Sequence, residues 1–301
     1  MRRALGKFEC DDRGRQSVRF MLTALLWLLA TVALAVALPA AWLQKNVVDL
    51  DGYAAFTEQA AADPALQQAV AGELTTQLVR LGYTGDQELL RDVASVYTGG
   101  ADFPGQFAQA NRFAHRWLFS DTITAGEDPQ GRWVVDLAPM LQDSSFSASL
   151  ERFDISVPET LPVPLTENAP DSIRPGQLRA IATWGPWVSV GATVLAGVLA
   201  LLTLASARSR GKALAALGVS GLLIGAAGWA GLEVGRRYVN GVLANTSADV
   251  RQMAEALIRH ATDSMHHWLN IALAAGGGLV ALGVLVALLG GLRQRTVREP
   301  S

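Results

Sequence analysis

His260, Asp263 and His267 are the residues of this chain best spaced for chemistry, standing three and four positions apart and so along one flank of a helix. Neutral imidazoles and a carboxylate on one face can hold a divalent cation, and two histidines beside a membrane can act as a pH switch. A zinc site ordinarily takes four ligands, and the sequence offers no further strong ligand here. The expectation is a solvated polar flank opposite an apolar stripe. His115, beside Arg116, reads as a partly buried structural histidine rather than a general base. Asp49 and Asp51 in VVDLD, and Asp136 in VVDLAP, read as helix caps or strand ends rather than catalytic carboxylates. The chain holds no glycine-rich phosphate loop, nucleophile elbow, HExxH or paired-cysteine motif. No catalytic residue, metal ligand or cofactor is therefore assigned.

The elements that must position these residues are set by a strong segregation of polarity. Half of the residues are hydrophobic and only 17% are charged, a mixture that fits membrane spans plus one polar domain. Residues 1–19 carry six basic side chains against Glu9, Asp11 and Asp12, and are expected to be a poorly ordered cytoplasmic tail. Residues 20–43 are uncharged and end at Trp42. This run exceeds the length of a secretory signal core, so a retained anchor is expected rather than a cleaved leader. Three further spans follow at 184–205, 213–235 and 268–292, with a short basic loop at 206–212 and a tail at 293–301. The third carries Gly218, Gly221, Gly225, Gly228, Gly231 and Gly235 at three- or four-residue intervals. In lipid, such a smooth face lets neighbouring backbones approach.

Basic clusters at the amino terminus, at Arg208, Arg210 and Lys212, and at Arg293, Arg295 and Arg298 fall on one side of a four-span topology. Trp42, Trp184, Trp187, Trp229 and Trp268 fall at the opposite boundary. Both signals place the two termini in the cytoplasm and residues 44–179 and 236–267 outside a plasma membrane. The spans are uncharged in their cores, with Ser189, Thr193, Thr203 and Ser220 as the main polar side chains.

The exterior domain 44–179 has nineteen acidic and nine basic residues, a formal charge of −10. The single cysteine, Cys10, lies before the first span, so this domain must hold by packing alone. Its first half reads as helices: a short one over Asp51–Ala61, one opened by Asp63-Pro64 and closed at Gly82, one opened by Asp86 and closed at Gly99-Gly100, and one over Pro104–Phe119. Leu89, Leu90, Val93, Val96 and Tyr97 form the apolar stripe of the third. Extended runs at Arg132–Leu137, Phe153–Val157 and Leu161–Thr166 suggest a small β patch, and Pro175 is expected to open a helix that continues into the membrane. In 236–267, Thr246 to Asp249 resembles a capping box, and Val250, Met253, Ala254, Leu257, Ile258, Ala261, Met265 and Trp268 share one face. That face must lie on the exterior domain, on lipid or on another subunit.

The stretch AWLQKNVVDLDGYAAFTEQAAADPALQQAVAGELT, together with VVDLAPML, resembles conserved four-span membrane proteins of actinobacteria. The resemblance implies a bacterial plasma-membrane protein and carries no activity or catalytic residue. The fold expected is a mainly α membrane protein: four transmembrane helices with an α-rich extracytoplasmic domain carrying a small β patch. The function expected is a non-enzymatic envelope interaction or assembly element, in contact with the lipid bilayer, with an envelope partner or self-association and no nucleic acid. Two alternatives stand beside it, a transporter or channel component acting as an oligomer and an extracytoplasmic hydrolase or metal-dependent enzyme.

Overall fold

The computed structural model describes residues 2–80, 86–120, 126–127, 133–136, 142, 159, 162–164, 176–243 and 248–296. The helices are α1 (Arg2–Leu43), α2 (Leu50–Ala61), α3 (Pro64–Arg80), α4 (Gln87–Thr98), α5 (Phe103–Phe119), α6 (Arg179–Ser206), α7 (Arg210–Leu243) and α8 (Ala248–Thr296). Four of them, α1, α6, α7 and α8, are long and apolar enough to cross a bilayer, the build of a multi-pass membrane protein. The chain divides into two compact units. One, the bundle unit, comprises residues 1–42, 187–235 and 263–301; the other, the helical unit, comprises residues 43–186 and 236–262.

Several boundaries differ from the sequence expectation. The basic residues before position 20 belong to α1 instead of forming an unordered tail, and between Arg2 and Leu43 no proline precedes Pro39 to stop the helix. The helix that carries the third span continues past Gly235 to Leu243. The amphipathic stretch and the fourth span are one helix of 49 residues, since no Gly or Pro interrupts 248–275. Pro175, the expected helix opener, lies outside the described residues. The chain turns through Gly176, whose φ of 66° suits a residue without Cβ, and α6 starts at Arg179.

In the bundle unit, α7 packs on α8 through glycine. A Cβ on Gly218 would stand 2.6 Å from the Gly276 carbonyl oxygen, and one on Gly276 would stand 2.8 Å from that of Gly218. Gly211 and Gly283 repeat this reciprocal contact seven residues away along each helix, the spacing of a coiled-coil repeat. Gly225 and Gly228 receive Leu273 and Leu269. Gly231 and Gly235, counted in the same stripe from sequence, have open space where a side chain would go. Above Gly228 the contact passes to side chains, with the Trp229 indole stacked on His266 at 3.6 Å and its N–H donating to Asn270 Oδ1.

Polar side chains add cross-helix ties. Trp27 Nε1 donates to the Ala216 carbonyl at 2.9 Å, Thr31 and Ser220 share a hydrogen bond of 2.7 Å, and Trp42 Nε1 donates to Ser264 Oγ at 3.1 Å. Thr193 and Thr203 bond only one turn back, to the carbonyls of Ser189 and Leu199.

The helical unit is built on caps and a small apolar centre. Asp49, Asp63 and Asp86 each accept a backbone N–H at the start of α2, α3 and α4, which satisfies donors that the first helical turn leaves free. Buried Ala60, Ala61, Leu66, Phe103 and Ala256 form the core, with Val70, Phe107, Met253 and Leu257 against it. Ala256 and its neighbours come from the start of α8, so its apolar stripe is buried on α2, α3 and α5. The centre of the buried face is Ala256, which the sequence stripe omitted, whereas Val250 at its edge is exposed. Three short strands, Gly126–Glu127, Trp133–Asp136 and Pro162–Pro164, pair antiparallel in that order, with Val135 opposite Val163. The expected run Phe153–Val157 and the capping residues Thr246 and Ser247 lie outside the described residues.

Candidate functional site

His115 is the centre of the most elaborate polar arrangement in the helical unit. Residues Gln44–Val48 follow α1 as one π-helical turn, closed by Asp49 N–H donating to the Gln44 carbonyl at 2.8 Å. The last carbonyls of such a turn lack helical partners. His115, on α5 and 6% exposed, places Nε2 2.9 Å from the Val47 carbonyl oxygen. A carbonyl only accepts, so the proton sits on Nε2. The ring stacks on Phe119 at 4.2 Å and tilts against Tyr53 at 5.1 Å.

Burial pushes the His115 pKa below its ordinary value, and the Val47 and Val48 carbonyls and Asp49 offset only part of this. Tyr53 donates to Asn111 Oδ1 at 3.0 Å, and Tyr97 donates to Gln106 Oε1 at 2.7 Å; burial raises both phenols. Both hydroxyls and His115 Nε2 end on protein partners. His115 thus acts as a cap that fastens the π turn to α5.

Asp49 is occupied as a cap, accepting from Gly52 N–H at 2.7 Å. Asp51 pairs with Arg112 at 2.6 Å on the surface, a contact of little energetic weight in high dielectric. Asp136 ends its strand opposite Pro162. His260 is turned onto Phe56, ring to ring at 4.8 Å, while Asp263 and His267 are exposed. Among the described residues no three His, Cys, Asp or Glu side chains are grouped to hold a metal ion. The sequence flank did not single out His266, which makes the stack on Trp229. Its only signal was its place one turn before Asn270.

The feature least accounted for within the chain is a surface. On α4 the buried side is Ala94 and Thr98, and the apolar stripe faces away: Leu89 is 60% exposed, Val93 59% and Val96 79%. Of the stripe that the sequence marks, Leu90 is half-buried and Tyr97 packs on Phe103, so Leu89, Val93 and Val96 are the part left open. Its neighbours are Asp86, Glu88, Arg91 and Asp92.

Comparison with protein-family models, with curated proteins and with solved structures finds no match to this chain.

Proposed function

We propose that this protein is a non-enzymatic interaction or assembly element of a bacterial cell envelope, and that the Leu89, Val93 and Val96 face of α4 is where a protein partner docks. The exposure of that face carries the reading. A monomeric domain seldom leaves its most amphipathic helix with the apolar side in solvent, and such faces mark interaction sites. Three acidic side chains flank it against one arginine, so an anionic lipid surface is electrostatically disfavoured and a protein is favoured. The arrangement of basic clusters and boundary tryptophans supports a plasma-membrane location, with both termini cytoplasmic and residues 44–179, the small sheet included, together with 236–267 outside. The likeness to actinobacterial four-span proteins belongs to the same reading.

A photo-crosslinking amino acid placed at Val93 tests it in intact cells. The expected result is one reproducible protein adduct that is lost when Leu89→Asp is added and absent when the crosslinker sits at exposed Ala62. Adducts to lipid alone, or no adduct at position 93, would overturn it.

A further inference from the structure

We propose that a cavity inside the bundle unit holds one acyl chain of a bilayer phospholipid. The cavity, about 290 Å³, lies between α1, α7 and α8, with Leu34, Leu38, Ile224, Ile271, Ala275 and Trp268 among its walls. No charged residue lines it. Apolar cavities of this kind exclude water, and one of roughly 150 Å³ already takes benzene. A hydrocarbon chain fits both the chemistry and the size.

The helices cannot close on the space. α1 is tied on one side of it by Trp27 to Ala216 and Thr31 to Ser220, and on the other by Trp42 to Ser264. α7 and α8 are already in backbone contact at Gly218 and Gly276. Gly221 and Gly276 belong to both the seam and the cavity wall, so the missing side chains that bring α7 to α8 also leave room beside α1. One side is continuous with the apolar outer face of the spans, since Ile271 is 55% exposed and Leu279 37%. Polar ties above and below, rigid walls and a lateral opening to hydrocarbon together define a slot entered sideways by a lipid tail. This inference rests on α1, α7 and α8 alone and is independent of the partner proposed for α4.

The test uses the full chain in nanodiscs of phosphatidylglycerol bearing a mid-chain diazirine. After irradiation, adducts are expected on the peptides holding Leu34, Leu38 and Ile224, in excess of those at Leu201, which is 67% exposed on α6. Ala275→Phe fills the slot from its exposed rim and should remove most of the slot adducts, with Leu201 labelling unchanged. Equal labelling at both places, or slot labelling indifferent to Ala275→Phe, would overturn the proposal. Should that variant not fold, native mass spectrometry of the wild-type chain in mild detergent decides. One retained phospholipid per chain is expected, and the bare chain alone contradicts it.

Discussion

The glycine face of α7 and the leucine and valine face of α4 are two helical surfaces with equally regular spacing and opposite fates. The first is covered by α8 from Gly211 to Gly228; the second is open along Leu89, Val93 and Val96. In lipid, apolar side chains need no cover, and what must be matched is shape, so the smooth face finds a backbone. In water the reverse holds: shape is secondary and an uncovered apolar face costs free energy. The α7 face is therefore covered within one chain, while the α4 face is left open by it, and the partner proposed above is what would cover it.

Substituting the covered face should have the largest effect. Gly218→Leu would force a side chain onto the Gly276 carbonyl and the Val280 N–H, backbone atoms that cannot turn aside. Overpacking of this kind costs about 1–3 kcal/mol, read as a lower unfolding temperature in detergent. Gly231→Leu, with open space around it, should stay within about 0.5 kcal/mol. Equal losses from both would mean that the seam is not the packing surface.

The His115 cap sharpens the contrast from the helical unit. Replacing it by Phe strands the Val47 carbonyl and should cost about 1–3 kcal/mol; His115→Gln, which keeps a donor, should cost less. The pH dependence has a fixed sign. The folded-state pKa is lowered from 6.5, so the folded protein keeps the ring neutral while the unfolded chain takes up a proton. The contribution is complete above 6.5, declines as pH falls below it, and stops declining once the lowered folded-state value is passed. Thermal unfolding across this window should lose less stability in His115→Gln than in wild type. Thr31→Val, which removes one tie between α1 and α7, should cost about 0.6 kcal/mol, the average for such bonds in membranes.

How much could be read from sequence follows the same division. Local chemistry was legible: Asp63-Pro64 and Asp86 start α3 and α4 because a short acceptor and a missing N–H are written into the residues themselves. The spans and the core of the glycine face were legible for the same reason. Partners were not. Periodicity says that a face is apolar or smooth but not what meets it, so Gly231 and Gly235 were counted with their neighbours and the α4 stripe was read without saying what covers it. The β runs were legible only in part, because Gly126–Glu127 is too short to carry a pattern. His115 was recognisable as structural, yet its acceptor at Val47, 68 residues away, belongs to tertiary structure.

Smallest in folding free energy, and most informative, is Val93→Ser: at an exposed site it should change stability by less than about 0.5 kcal/mol while weakening the association proposed for α4. The most direct test of that association is accessibility. With Cys10→Ser as background, cysteine at Val93 and, separately, at exposed Ala62 is treated with a membrane-impermeant maleimide in intact cells and after purification. Cysteine at 62 should label in both settings, and cysteine at 93 should label rapidly in the purified protein but be protected in cells. Equal, rapid labelling of both positions in cells would show the α4 face uncovered and contradict the account.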